Sequence, residues 1–161
     1  MKKTGYAAPD RPAKKEFASV RIALVATRWN VDIVAALLKG ARACLKDWGI
    51  AADRIHEFHV PGAFEIPLAL EQLARTRRYD GIVALGAVIR GDTPHFDYVA
   101  GECARGLQDV ALRHVLPVGF GVLTVDTTAQ AIVRAKPGKS NKGYESASAM
   151  LEMVRFKRES A

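Results

Sequence analysis

The chain has 161 residues, of which 49% are hydrophobic and 25% are charged, and its formal net charge is +7. This length and composition are typical of one globular domain that buries its own core without disulfides or metal ions. The longest apolar runs are far shorter than the roughly 20 residues of a membrane-spanning helix, so no membrane partner is expected. The N-terminal segment lacks the apolar stretch of a secretory signal, which predicts a cytoplasmic protein.

The excess positive charge lies mainly in the N-terminal segment and in residues 134–158. Aromatic residues do not alternate with these basic residues, as they would on a platform that stacks nucleic-acid bases. A solvated tail together with a site for an anionic substrate accounts for the charge, and no nucleic-acid partner is expected. The two cysteines, Cys44 and Cys103, fall on apolar helical stripes without metal-ligand spacing, so we expect buried reduced thiols.

The first strand and helix follow a polar, aperiodic segment. Residues 1–17 are interpreted as a flexible leader, and residues 18–158 as a single domain. The run VRIALVAT at 20–27 is apolar and rich in β-branched residues, which indicates a strand buried on both faces. Asn30 is expected to cap the following helix, whose apolar residues recur at spacings of three and four and which Gly49 ends.

The same strand-then-helix pattern recurs three more times along the chain. The predicted elements are an edge strand at 54–60, a helix at 64–75 with Pro67 in its first turn, a central strand at 81–89, a helix at 95–114, a strand at 118–125, a short helix capped by Asp126 or Thr127 that ends near 135, and a last helix carrying Ala147, Leu151 and Val154 on its apolar side. Alternating strands and helices pair in parallel through right-handed crossovers. The fold class is therefore α/β, a three-layer α/β/α sandwich with a four-stranded parallel sheet.

Chemically useful residues follow the predicted strands. In open parallel sheets, ligands bind beyond the carboxyl ends of the strands. Four clusters stand there: TRWN at 27–30, PGAFE at 61–65, IRGDTPH at 89–95, and Phe120 with the end of the fourth strand. Because these positions are expected on one edge of the sheet, they predict a single small-molecule site.

The segment GAVIRGDTPHFDY is the most specific of these clusters. Gly91 lets the chain turn out of the strand, and the backbone amides of Gly91, Asp92 and Thr93 are free where a helix begins, which favours an anion. His95 lies within one turn of them and could transfer protons near neutral pH, although it could also be a helix-cap histidine without chemistry.

Each of the other candidate site residues also has an interpretation without a functional role. Trp29 stands where an aromatic side chain could cover a flat heterocycle, or it could be a core residue at a helix start. Glu65 could accept hydrogen bonds from ligand hydroxyls, or it could merely favour the first turn of a helix. Arg134 and Lys142 could neutralise a phosphate, although basic residues near helix ends are usually only solvated. No spacing of histidines and carboxylates indicates a metal.

Taken together, the motifs TRWN, VPGAFEIP, LGAVIRGDTPHFDYV, FGVLT and NKG…EMV resemble the lumazine synthase family in order and spacing, over about residues 18–155. The resemblance implies a flavodoxin-like fold and a homopentamer with active sites shared between neighbouring subunits. It also implies a transferase without a cofactor. The reaction would condense 5-amino-6-(D-ribitylamino)uracil with 3,4-dihydroxy-2-butanone 4-phosphate to give 6,7-dimethyl-8-ribityllumazine, the penultimate step of riboflavin biosynthesis.

The resemblance also implies a role for each matching residue. His95 would shuttle protons, Trp29 would stack on the pyrimidinedione ring, and Ala63 with Glu65 would hold the ribityl chain. Phe120, Arg134 and Lys142 would come from the adjacent subunit, the first closing over the ring, the second binding phosphate and the third completing the pocket. The other substrate-binding residues implied are Asn30, Gly62, Phe64, Ala87, Val88, Ile89, Gly91, Asp92 and Thr93.

Two departures from the family pattern leave alternatives open. Trp29 stands where the family usually has Phe, which could tighten stacking or favour flavin-like ligands. The turn KPGKSNKG has the same length as the GTKAGNKG type often seen in members that form sixty-subunit shells, but Pro137 stiffens it, so the resemblance supports a pentamer better than a shell. The chain could also be a non-catalytic flavin- or lumazine-binding protein, or a shell-forming paralogue with a vestigial site. His95 and Arg134 favour catalysis, because a pure binder needs neither a proton shuttle nor a phosphate clamp.

Overall fold

The computed structural model describes residues 7–161, in which strands and helices alternate. The strands are β1 (Ile22–Thr27), β2 (Ile55–Val60), β3 (Gly81–Ile89) and β4 (Val118–Val125). The helices are α1 (Val31–Asp47), α2 (Ile66–Arg75), α3 (His95–His114), α4 (Thr128–Arg134) and α5 (Lys142–Glu159). Single 3-10 turns at Ala52–Arg54 and Ala63–Glu65 lead into β2 and α2. These elements lie where the sequence predicts them.

The predicted leader falls partly outside the part of the chain that the structure describes, because that part excludes residues 1–6. At the other end of the leader, Phe17 is buried and packs edge-on against Trp48, with ring centroids 5.2 Å apart. Glu16 pairs with Arg155 of α5 at 2.6 Å. The division of the chain into a leader and one domain stays a prediction.

The four strands form one parallel sheet in the order β2-β1-β3-β4. Every residue of β1 and the first seven of β3 are buried, because helices cover both faces of these central strands. All residues of β2 are half-buried or exposed, as expected of the edge strand that it is. The predicted four-stranded parallel sheet is therefore confirmed.

Two hydrophobic cores lie on opposite faces of the sheet. Residues of β1 alternate between them, so that Leu24 contacts the core formed with α1 and α5, and Val25 contacts the core formed with α2 and α3. Cys44 lies in the first core and Cys103 in the second, and both thiols are free. Burial raises the pKa of each thiol to about 12, which confirms the predicted buried reduced thiols. Within residues 7–161, no helix is long and apolar enough to cross a membrane.

Helix ends follow local sequence signals, with one exception. Gly49 adopts a left-handed φ of 82° just beyond α1, and Pro67 stands in the first turn of α2. Thr127 and Gln130 form a reciprocal capping box at the start of α4. The prediction that the Asn30 side chain caps α1 is wrong. Asn30 is left-handed, with φ 56° and ψ 51°, and its side-chain amide donates instead to the Ala87 carbonyl at 3.0 Å.

Asn141 joins three helices through one buried side chain. Its Nδ2 donates to the carbonyl of Ala36 in α1 at 3.2 Å and to that of Ala135 after α4 at 2.8 Å. Its Oδ1 accepts from the backbone amides of Gly143 and Tyr144 at 2.8 Å and 3.2 Å, and so caps α5. Asn141 is only 1% exposed, and its bonds to Ala135 and Gly143 are buried, so water cannot readily replace the side chain there.

We expect Asn141→Ala to lower the free energy of unfolding by about 2–4 kcal/mol, because it removes an N-cap and leaves buried backbone groups without partners. Asn141→Asp keeps the capping oxygen and loses the two donations, so its loss should be smaller. Urea denaturation of both variants measures the difference. An alanine variant within about 0.5 kcal/mol of the wild type would contradict this role.

Glu71 fixes α2 to the last turn of α3. Its Oε2 accepts from His114 Nε2 at 2.9 Å and from Arg113 at 2.7 Å, while Oε1 accepts from Arg75 at 2.9 Å. The hydrogen bond from His114 and, after it, those from the two arginines lower the pKa of Glu71 to about 2, against the opposing effect of desolvation. Because this pKa is depressed, the stabilisation is present above the ordinary carboxyl pKa of about 4.3 and is lost as the pH falls toward 2.

Glu71→Gln should therefore lower the Tm near neutral pH, and its difference from the wild type should narrow as the pH falls below about 4.3. Thermal melts of both proteins across this range test the effect. Glu102→Gln serves as a control, because the Arg105 partner of Glu102 lies on the same helix and ties no second element. If the Tm difference between Glu71→Gln and the wild type stayed constant with pH, the negative charge of Glu71 would not be what joins the two helices.

Candidate active site

Backbone and side-chain hydrogen bonds join the carboxyl ends of the four strands. After β1, the Arg28 amide donates to the Val60 carbonyl of β2 at 3.1 Å, and Asn30 Nδ2 donates to Ala87 of β3 at 3.0 Å. After β3, the Arg90 amide donates to the Val125 carbonyl of β4 at 2.9 Å. The loops that leave the strands therefore lie side by side along one rim.

A cleft of about 610 Å³ opens at this rim, beside the first turns of α2 and α3. This volume lies within the range of clefts that bind small molecules. Most of the predicted site residues line it, namely Trp29, Asn30, Gly62, Ala63, Phe64, Glu65, Ala87, Val88, Ile89, Gly91, Thr93 and His95. The loops after β1, β2 and β3 thus contribute to one cavity, and Trp29 and His95 are both within it.

Trp29 forms an exposed aromatic wall of the cleft. Its side chain is 73% exposed, so the alternative of a core tryptophan is wrong. The indole lies over Gly62, where a Cβ would stand 3.1 Å from Trp29 Cδ1 and 3.3 Å from Glu65 Oε2. A side chain at position 62 would therefore displace the ring or the carboxylate. The open indole face can stack on a flat heterocycle.

The loop after β3 forms a corner suited to an anion. Gly91, Asp92 and Thr93 are exposed, and no group among residues 7–161 accepts a hydrogen bond from their backbone amides. The positive end of the α3 dipole begins two residues further on, at His95. The turn itself does not require a glycine, since a Cβ at Gly91 would meet no described atom within 4 Å. The missing side chain instead leaves the amides open to a ligand.

His95 is the first residue of α3, and its imidazole is exposed toward the cleft lining. No residue in the described range 7–161 forms a hydrogen bond with its ring nitrogens. The floor beside it consists of the apolar residues Ala87, Val88 and Ile89, while the Glu65 carboxylate lies on the same cavity. The cleft can therefore hold a flat ring, a hydroxylated chain and an anion next to one imidazole.

Four predicted site residues do not line this cleft within the protomer: Asp92, Phe120, Arg134 and Lys142. Asp92 is in the anion corner but is not among the residues that line the cleft. Arg134 ends α4 and donates to the Gln130 carbonyl at 3.0 Å, while Lys142 begins α5 and pairs with Glu145 at 2.7 Å. The cleft of one protomer thus lacks a basic side chain for a bound anion.

The prediction that Phe120 lies on the same edge of the sheet as the other clusters is wrong. Phe120 is the third residue of β4, aligned with Ala84 in the middle of β3. The strand itself runs to Val125 as predicted, and it is the Val125 carbonyl that accepts from the Arg90 amide at the rim. Phe120 is 49% exposed on the edge strand, away from the rim.

Three cleft residues were not predicted as site residues: Phe96, Tyr98 and Val99. The apolar pattern of α3 assigns Phe96 and Val99 to the core, but both are only half-buried, because they face the cleft. Val99 stands four residues after His95 and so shares its helix face. That spacing is a signal that the sequence already contains.

The remaining chemistry of the cleft is simple. Among residues 7–161, no group of three or more His, Cys, Asp or Glu side chains could hold a metal ion. Both cysteine thiols are buried in the two cores and have raised pKa values, so neither is an accessible nucleophile. His95 is therefore the side chain of the cleft best suited to proton transfer.

The comparisons with known proteins agree on one family. The family model for 6,7-dimethyl-8-ribityllumazine synthase matches residues 19–158. The curated 6,7-dimethyl-8-ribityllumazine synthase of Desulfovibrio desulfuricans (strain ATCC 27774 / DSM 6949 / MB) is 50% identical over 136 residues, which are 84% of this chain and 87% of that protein. The matched range includes all four strands and every residue of the cleft.

Proposed function

This chain belongs to the 6,7-dimethyl-8-ribityllumazine synthase family and is a transferase of riboflavin biosynthesis, and we propose that its two substrates condense in the rim cleft. The substrates are 5-amino-6-(D-ribitylamino)uracil and 3,4-dihydroxy-2-butanone 4-phosphate. The observation that supports this site is that an aromatic wall, an anion corner and one imidazole line a single cavity.

The uracil substrate occupies the side of the cleft next to Trp29. Its flat ring stacks on the indole, and the backbone at Ala87, Val88 and Ile89 contacts its edge. The ribityl chain extends along Ala63 toward Glu65, whose carboxylate accepts hydrogen bonds from the sugar hydroxyls.

The ketose phosphate places its phosphate on the amides of Gly91, Asp92 and Thr93, which brings its ketone next to the amine of the uracil. The amine attacks the ketone and water is lost, which gives an imine. Phosphate is then eliminated, and the ring closes with loss of a second water. His95 takes up and returns the protons that these steps move. Most of the acceleration comes from holding the two reactants together.

A second copy of the chain completes the site in this proposal. The protomer exposes several large apolar side chains that do not line the cleft, among them Leu112, Val115, Phe120, Ile132, Val133, Met153 and Phe156, each about half exposed or more. Apolar surface of this extent is typical of an interface. We propose a homopentamer in which Phe120, Arg134 and Lys142 of one subunit reach the cleft of its neighbour and supply the missing basic side chains.

A cytoplasmic location is also part of the proposal. It is supported by the two unpaired thiols, because disulfides are rare in the cytosol and common in oxidising compartments.

The direct test of the function is to mix the purified protein with both substrates and to follow lumazine absorbance and fluorescence. We expect lumazine to form much faster than in the uncatalysed condensation. A rate equal to that of the uncatalysed reaction would favour a non-catalytic binder of flavin or lumazine.

His95→Ala should lower kcat by up to about 100-fold, the low end of what general acid–base catalysis contributes, since proximity provides most of the acceleration. The Tm should change little, because the imidazole is exposed and has no partner in the described chain. Steady-state kinetics and a thermal melt measure the two effects. A large loss of Tm would show a structural role instead.

Arg134→Ala should raise the KM for the ketose phosphate by about tenfold or more, because hydrogen bonds to charged groups contribute about 1.5–3 kcal/mol. The KM for the uracil should change little. Subunits carrying Arg134→Ala, refolded together with subunits carrying His95→Ala, should be more active than either variant alone, because some shared sites then contain both intact residues. A change confined to the uracil KM, or no recovery on mixing, would rule out this assignment.

A further inference from the structure

Arg90 stands between β3 and the anion corner, and its side chain contacts three groups. Its Nε donates to Asp126 Oδ1 at 3.0 Å, and its terminal nitrogen donates to Asp97 Oδ1 at 3.3 Å. The guanidinium carbon lies 4.3 Å from the centroid of the Phe96 ring, which is a cation–π distance.

Asp126, Asp97 and Phe96 lie near the ends of two other elements, β4 and α3. Asp126 directly follows β4, whereas Phe96 and Asp97 stand in the first turn of α3. The Arg90 side chain therefore closes the loop of residues 90–97 upon itself and ties it to the end of β4. This loop contains the free amides of the anion corner and His95, and Phe96 also lines the cleft.

We propose that Arg90 is a positioning residue for the condensation, which holds the phosphate-binding amides and His95 in the geometry that the reaction needs. The proposal rests on the function proposed above for the same cleft. Arg90 does so through Asp126, Asp97 and Phe96 and does not itself contact the substrate.

The surroundings of Arg90 argue against two other roles, direct attraction of the phosphate and stabilisation of the fold. Its charge is already balanced by two carboxylates, so it adds little net attraction for a phosphate. Arg90, Asp97 and Asp126 are 45%, 62% and 67% exposed, and ion pairs this exposed contribute little to stability. Loss of the side chain should therefore loosen the loop without unfolding the protein. The planar guanidinium directs fixed donors at both carboxylates while its face stacks on the ring, a geometry that the point charge of a lysine does not reproduce.

The test compares Arg90→Ala and Arg90→Lys with Arg105→Ala, in the assembled protein. Arg105 is a matched control on α3, because it also pairs with two carboxylates, Glu102 and Asp109, but both lie on its own helix. We measure kcat and KM for each substrate, the Kd for inorganic phosphate and the Tm.

Arg90→Ala should lower kcat/KM for the ketose phosphate on the order of 10- to 100-fold, the scale expected of a small misplacement of catalytic groups. It should also weaken phosphate binding. The KM for the uracil and the Tm should be nearly unchanged. Arg90→Lys should be intermediate, and Arg105→Ala should match the wild type. If Arg90→Lys matches the wild type, charge alone suffices and the proposal is overturned. It is equally overturned if Arg90→Ala matches Arg105→Ala.

Asp126→Asn supplies an independent variant, because it removes the negative charge that Arg90 pairs with and lies outside the loop itself. It should lower kcat/KM in the same direction, and the double variant with Arg90→Ala should lose less than the sum of the two single losses. Strict additivity would overturn the coupling. A wild-type protein that forms no lumazine would refute the proposed function. An active wild type whose kcat/KM is unaffected by the Arg90 variants would refute only this inference.

Discussion

The hydrogen bonds that align the carboxyl ends of the four parallel strands are the constraint on which the rest of the cleft depends. Because β1 pairs with β3 as far as Ala26 and Leu85, the turn after β1 lies beside the last residues of β3, and the Asn30 side-chain amide donates to the Ala87 carbonyl. The Arg90 backbone extends the same line to Val125 of β4. Residues more than 60 positions apart in the chain thereby come to one rim, and no single loop could form the cavity alone.

Side chains also join the helices on both faces of the sheet. The Glu71 carboxylate joins α2, which follows the cleft residues 62–65, to the end of α3, whose first turn lines the cleft. On the other face, Asn141 joins α1, α4 and α5 from a fully buried position. The conformational entropy of the loops is therefore lost on folding and not on substrate binding. This order suits a reaction that is accelerated mainly by proximity.

Most of the fold and of the cleft could be predicted from the sequence, because strand burial and strand-end position depend on short-range patterns. What failed depended on contacts between distant residues. The Asn30 side chain binds Ala87 rather than its own helix, and Phe120 lies level with Ala84 in the middle of β3 rather than at the rim. The roles of Phe96 and Arg90 could not be predicted, since the first depends on which face of α3 meets the cleft and the second on Asp126, which follows β4.

The most direct measurement is a crystal structure of the assembled protein with an unreactive ribityl-uracil and inorganic phosphate. The ring should stack on Trp29 with centroids about 4.5–7 Å apart, and the phosphate should lie about 3 Å from the amides of residues 91–93, with His95 between the two. A ring bound away from Trp29, or a phosphate that makes no hydrogen bond to these amides, would show that the rim cleft is not where the substrates meet.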